Sequence, residues 1–320
     1  MKNSRMQATP VHTAAGRRAP ILQSGTAAVL LAIFCNLLWG SAYPAIKAGY
    51  TLFQITDSLF MKLLFAGVRF LLAGILVLLA AGWKRRGIPR ISRGNRVTVL
   101  LMALIYTALQ YVFFYVGLSN TTGANGSIVN STTTFMAVIL AHFLYPDDRL
   151  NMRKVTGGLL GFGGVLLVTL GNGKAGFSFQ GEGFILIAAA CFVAGSAISK
   201  KAAQKDDSMT VTGYNLLIGG AGLIAAGLAG GARLTAVSLS GTLVLGYLAL
   251  LSALAFTIWT MLLRNHALGR ISVYNFIIPV SGTLLSALFL HENIWQWQYG
   301  VSLILVCAGI IIVNCTSTQG

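Results

Sequence analysis

The sequence predicts an all-α integral membrane protein: ten transmembrane helices forming an inverted 5+5 repeat around a central cavity. Three observations predict it. The first is composition, since 56% of the 320 residues are hydrophobic and only 9% are charged, against roughly 25% charged in soluble domains. The second is a succession of ten apolar segments, at about 27–49, 58–82, 97–117, 124–145, 153–171, 182–201, 210–230, 240–263, 271–290 and 297–314. Most come close to the ~20 helical residues that cross a bilayer's hydrocarbon. The third is the placement of the basic residues. A net charge of +16 suits a nucleic-acid binder, but these Lys and Arg lie in short gaps between apolar runs, where they report topology instead.

With the N-terminus inside, 18 of the 23 basic residues fall on the cytoplasmic side, including Lys84–Arg86, Arg153–Lys154 and Lys200–Lys201. Only Lys174 and Arg233 fall outside, and Lys47, Lys62 and Arg69 lie within segments. This asymmetry predicts a multi-pass protein of the cell membrane with both termini cytoplasmic. Residues 1–26 form a basic cytoplasmic tail with no signal-peptide cleavage site. The five-helix units are 27–171 and 182–314, joined by an outer linker at 172–181, and 315–320 form a second cytoplasmic tail.

The first segment carries Ser41, Tyr43, Pro44 and Lys47. Pro44 lacks an N–H and frees the carbonyl of Gly40 beside polar side chains, so it is a candidate hinge. Lys47, near the outer end, is the expected attractor of a substrate carboxylate. In the second segment Lys62 snorkels to the outer headgroups, with Asp57 as its candidate partner. Arg69 lies about 10 Å deeper. Its expected role is structural, the guanidinium satisfying carbonyls of neighbouring helices.

The third segment offers Tyr106 and Gln110 at i, i+4, and Tyr111 and Tyr115 at the same spacing. The fourth, Ala124–Tyr145, is polar in its first half. Ser127, Asn130, Ser131 and Thr134 form an i, i+3, i+4, i+7 stripe, continued by His142. Such groups avoid lipid, so the stripe is either polar glue between helices or one wall of a substrate path. Gly157–Gly161 and Gly163–Gly164 in the fifth segment, and Gly219–Gly222 in the seventh, read as close-packing surfaces. The eighth offers Ser252, Thr257, Trp259 and Thr260. The ninth carries Tyr274, Asn275 and a second candidate hinge, Pro279. Tyr106, Gln110 and Trp259 are candidates for pocket lining or for plain packing.

An internal echo relates the halves. A shift of 144 lays segments three to five over eight to ten, matching Asp148 to Glu292 and Asn130–Ser131 to Tyr274–Asn275. Gly40-Ser41-Ala42 likewise resembles Gly195-Ser196-Ala197. Five crossings per half is odd, so the halves have opposite orientations, as in many secondary transporters.

Three stretches resemble a known family. Leu38-Trp39-Gly40-Ser41-Ala42-Tyr43-Pro44-Ala45-Ile46-Lys47 is similar to the first helix of the EamA-like branch of the drug/metabolite transporter superfamily. Gly67-Val68-Arg69-Phe70-Leu71-Leu72-Ala73-Gly74 resembles its second helix. Leu290-His291-Glu292 fits the acidic end of its ninth, with Asp147-Asp148-Arg149-Leu150 as the first-half counterpart. The resemblance covers roughly 27–314. It implies a basket of ten helices, the fifth and tenth peripheral, and movement of small metabolites, often amino acids and often outward. The polar stretch from Tyr50 to Leu59, with Asp57, departs from it at the outer mouth.

Other function classes find little support. His291-Glu292 lacks the second His of a zinc-protease motif, and His142 has no carboxylate at i±3 or i±4. No cofactor or metal site is expected, and the four cysteines form no CxxC pair. All seven acids lie in loops or at segment ends, so no intramembrane carboxylate marks a proton-coupled pump or a carrier of cations. The expected partners are a small-molecule substrate and the lipid bilayer, with a homodimer left open and no nucleic acid. The leading expectation is a secondary transporter, an exporter, of small polar metabolites such as amino acids. A nucleoside or sugar-derivative carrier, or a non-transporting scaffold or receptor, stand as alternatives.

Overall fold

The computed structural model describes residues 25–55, 58–144, 150–171, 177–233, 238–266, 268, 271 and 273–314. Most of the 1–26 tail, part of the 172–181 linker, the 315–320 tail, Asp57, Asp147, Asp148 and Lys174 lie outside these residues.

Among the described residues the regular structure is helical throughout. The helices are α1 (Gly25–Leu52), α2 (Leu59–Arg85), α3 (Arg93–Ser119), α4 (Gly123–Leu144), α5 (Met152–Gly171), α6 (Phe179–Lys205), α7 (Ser208–Ala229), α8 (Leu239–Asn265), α9 (Ile277–Leu290) and α10 (Trp297–Asn314). Seven of them, α1–α4 and α6–α8, are long and apolar enough to cross a membrane. Leu79, Trp83, Leu104, Leu159, Leu288 and Ile304 stand exposed on the outside of the bundle, the arrangement expected of side chains solvated by lipid.

Helix starts are set by local chemistry. The side chains of Ser58, Thr122, Asp207 and Ser238 accept from backbone N–H groups of Met61, Asn125, Thr210 and Gly241, capping α2, α4, α7 and α8. Interhelical bonds then divide the bundle into two faces. At the basic face Arg85 meets Asp207 at 3.9 Å, Asn95 Nδ2 donates to Ala202 O at 2.9 Å, and Lys200 Nζ donates to His266 O at 3.2 Å. At the opposite face Lys62 Nζ donates to Ser119 Oγ at 2.8 Å, Thr121 Oγ1 donates to Glu182, and Gly123 N donates to Glu292 at 2.8 Å.

Packing partners are specific. α2 lies along α7, α5 along α10, and the first half of α4 along α9. α1 packs on α8 and α9, while α6 packs on α3 and α4. α2 also meets α8, and α7 meets α3. The glycines assigned to packing do sit at contacts in several places. A Cβ on Gly220 would lie 2.4 Å from Leu71 N, and one on Gly309 of α10 would lie 2.4 Å from Gly157 O of α5. Backbones approach this closely only without side chains between them.

Two helices differ from the continuous segments that hydropathy predicts. The fourth is broken at Ser131 into Gly123–Asn130 and Thr132–Leu144. Ser131 Oγ donates to Ile128 O at 2.6 Å and Thr132 Oγ1 to Val129 O at 2.8 Å. Hydroxyls that bond the preceding turn tighten and bend a helix. The ninth segment, helical at Ile271, passes through a 3-10 turn, Val273–Phe276, and α9 proper begins at Ile277. Pro279 therefore sits in the first helical turn, where its missing N–H has no intrahelical partner to lose. Pro44 is inside α1, which runs through it to Leu52.

Candidate functional site

A cavity of about 40 Å³ lies near the middle of the bundle. α1 contributes Trp39, Ala42, Tyr43 and Ile46; α2 contributes Arg69; α3 contributes Gln110, Tyr111 and Phe114. α4 adds Asn130 and Thr133, one on each side of the break, α6 adds Phe192 and α9 adds Ile278. Six helices converge on it, drawn from both halves of the chain. The space suits about one water, far short of the roughly 300–1,000 Å³ of small-molecule pockets.

Its polar groups are few and fixed. The Asn130 side chain lies beside the Tyr43 hydroxyl. Gln110 Oε1 is buried without a protein partner. Arg69 is 1% exposed. Its Nε donates to Ser252 Oγ of α8 at 2.8 Å and its Nη1 to Tyr115 OH of α3 at 3.0 Å. The guanidinium carbon also lies 4.9 Å from the Phe70 ring centroid and 5.9 Å from that of Tyr111, within cation–π range. Sequence reasoning expected backbone carbonyls around Arg69; the structure supplies hydroxyls and ring faces.

Packed side chains crowd both ends of the cavity. Toward the opposite face, Gly282 abuts Ser127 and Tyr50 OH donates to Tyr115 O at 2.9 Å. Toward the basic face, Trp39 packs edge-on against Phe192 and Trp259, with centroids 5.4 and 5.2 Å apart. Tyr106 extends that cluster, 5.3 Å from Phe192.

Of the residues singled out from sequence, Tyr43, Arg69, Gln110, Tyr111 and Asn130 line this cavity. Tyr106 and Trp259 are fully buried in the aromatic cluster, where Trp259 Nε1 reaches Ser196 Oγ at 3.5 Å. Ser41 faces α8, its hydroxyl 2.6 Å from that of Tyr247. Ser131 and Thr134 are buried within α4, and Ser127 turns to α9, 3.3 Å from Thr283 Oγ1. Tyr274 and Asn275 lie in the 3-10 turn, with Asn275 Oδ1 buried and unpartnered. Lys47 is one residue beyond Ile46 and half-buried. Sequence reasoning missed Trp39, Ala42, Ile46, Phe114, Thr133, Phe192 and Ile278 as lining. For Trp39 and Thr133 the signal was at hand, since each adjoins a polar stretch already singled out; Phe192 and Ile278 sit in ordinary apolar runs.

An apolar helical bundle with a small cavity lined from both halves of the chain is an arrangement that many secondary transporters share. The comparisons place it more narrowly. The model of the EamA-like transporter family matches residues 26–170 and again 179–315, and the chain belongs to that family. It is 26% identical over 301 residues to the uncharacterized transporter YvbV of Bacillus subtilis (strain 168), covering 91% of this chain and 93% of that one. It is also 26% identical to an uncharacterized transporter of Archaeoglobus fulgidus, over 91% and 98% of the two chains. The uncharacterized inner membrane transporter YedA of Escherichia coli (strain K12) is again 26% identical, with 86% and 87% covered. A solved crystal structure shares the fold with a TM-score of 0.70 at 20% identity, over 90% of this chain and 98% of the other. The protein is thus a multi-pass membrane transporter, and its family is one of carriers rather than enzymes.

Proposed function

We propose that this protein is a secondary transporter that exports small polar metabolites, amino acids first among them, by alternating access between two inverted five-helix halves. The observation that carries the reading is the matched pair of helix interruptions. The break at Ser131 and the 3-10 turn at Val273–Phe276 coincide under the shift of 144 that relates the halves in sequence. One lies beside the cavity and the other leads into Ile278, which lines it.

The helix pairings support the same symmetry. Advancing each helix number by five turns α1–α9 into α6–α4, α1–α8 into α6–α3, and α2–α8 into α7–α3, all of which pack together. α2–α7, α4–α9 and α5–α10 map onto themselves. The separate family matches to 26–170 and 179–315 agree. α9 has 14 residues, about 21 Å of rise, and with the 3-10 turn before it reaches about 29 Å, the span of the hydrocarbon.

In this reading the basic face is cytoplasmic and the closed cavity is an occluded state, which widens when α4 and α9 part. Lys47 draws anionic groups toward the site, and Pro44 and Pro279 mark the bending points. Counterflow in proteoliposomes tests it: protein-loaded vesicles take up labelled amino acid only when preloaded with a substrate. Flux no faster than in protein-free vesicles, across amino acids, nucleosides and sugar derivatives, defeats the proposal.

A further inference from the structure

Arg69 carries a full charge in the middle of the bundle with no described counterion. Each of the four described acids is engaged elsewhere. Glu182 accepts from Thr121 Oγ1 and Ser178 N, and Glu292 from Gly123 N and Ala124 N. Asp206 accepts from Ser92 and Asn95, and Asp207 caps α7 and faces Arg85. A cation at this depth is unfavourable unless it pairs or meets water.

The hydroxyls that hold Arg69 position it without neutralising it. Ser252 Oγ donates its proton to Leu248 O at 2.8 Å, so only lone pairs remain for Arg69 Nε. Tyr115 OH accepts from Nη1. Neither bond uses Nη2, which has no hydrogen-bond partner among the described residues, and Arg69 lines the cavity. With Nε and Nη1 each engaged by a hydroxyl, the two N–H donors of Nη2 are left for an anion such as a carboxylate. The remaining walls are of two kinds. Trp39, Phe114, Phe192 and Ile278 are apolar, whereas Gln110 Oε1 is an unpartnered acceptor.

We propose that Arg69 is the substrate-recognition group of the central cavity, binding a carboxylate through the Nη2 donors that Ser252 and Tyr115 leave free. The substrate class is organic monoanions and α-amino acids with an apolar body; amines without an anionic group are excluded. An ammonium group, where present, donates to Gln110 Oε1, which is one neutral acceptor and no counter-charge. The site therefore reads the acid end of the molecule. This rests on the transporter reading and deepens it by naming the recognised group.

The test uses the full-length protein in nanodiscs and follows the melting temperature with three probes: 3-phenylpropanoate, L-phenylalanine and 2-phenylethylamine. The carboxylates are expected to raise the melting temperature of the wild type and the amine to leave it unchanged. Arg69→Gln is expected to abolish the carboxylate shift. Arg69→Lys, which keeps charge but loses the Nη2 donors and the hydroxyl-held orientation, is expected to weaken the carboxylate affinity at least tenfold, while Arg85→Gln controls for loss of a positive charge elsewhere. Should Arg69→Gln fail to fold, Ser252→Ala and Tyr115→Phe keep the charge and loosen its orientation, and a several-fold weaker carboxylate affinity is expected from each. The proposal is overturned if neither carboxylate stabilises the wild type, if the amine stabilises it equally, or if the folded variants bind as the wild type does. Counterflow read in parallel separates the two ideas. Carboxylate binding through Arg69 without flux defeats the transporter reading alone, and amine flux indifferent to Arg69→Lys defeats this inference alone.

Discussion

The seam between α2 and α7 and the junction of α4 with α9 both join the first half of the chain to the second, but they are built from different materials. Along α2–α7 glycines bring backbone against backbone. Added Cβ atoms on Gly67, Gly74, Gly220 and Gly227 would lie 2.4–2.9 Å from backbone nitrogens across the seam. Between α4 and α9 the contact is made by hydroxyls and one carboxylate. Ser127 faces Thr283, Gly123 faces Ser286, and Glu292 holds the first N–H groups of α4. Beyond the Ser131 break, Thr132–Leu144 packs on α6 and α5, while α9 goes on to the 3-10 turn and α1. Small residues in continuous contact make a fixed axis. A few polar bonds confined to one end make a contact that can be released.

The largest effect is expected at the fixed seam. Gly220→Val places its side chain where Leu71 N already stands, and overpacking of this kind costs about 3 kcal/mol or more. The variant should yield little monodisperse protein in detergent and melt well below the wild type. Wild-type melting would remove the rigid axis from the comparison.

A smaller effect is expected at the releasable junction. Glu292→Gln exchanges charge-assisted bonds at the α4 N-terminus for neutral ones, a loss of about 1–2 kcal/mol. The fold should survive while the opposite-face contact opens more often. A cysteine at buried Ser286, with the native cysteines replaced, should then react several-fold faster with a membrane-impermeant thiol reagent. Equal rates would reduce Glu292 to a plain helix cap.

The smallest effect sharpens the role of the break itself. Ser131→Ala removes one hydroxyl from the tightened turn at Ile128, worth about 1 kcal/mol. Abundance should stay normal and the counterflow rate should change. An unaltered rate with an unaltered melting temperature would show that the break serves packing only.

Sequence by itself settled the environment and the rhythm of this chain. Hydropathy over some twenty residues, the clustering of Lys and Arg in gaps, and small residues at close spacings are local quantities, read without knowing any neighbour. They were enough for the membrane class, the succession of helices and the polar stretches around Asn130 and Asn275. The tertiary structure decided which face of each stretch meets which partner. Hydropathy sees an unbroken fourth segment, since a hydroxyl that captures its own carbonyl leaves the average unchanged, and only the fold shows Ser131 using it to bend the chain. The i, i+3, i+4 stripe placed Ser127 and Asn130 on one side, but α9 takes the first and the cavity the second, because they stand at different heights along a partner 150 residues away. Arg69 is the sharpest case. Its depth followed from its place in α2, whereas its hydroxyl partners, 46 and 183 residues distant, exist only once α3 and α8 have packed against it.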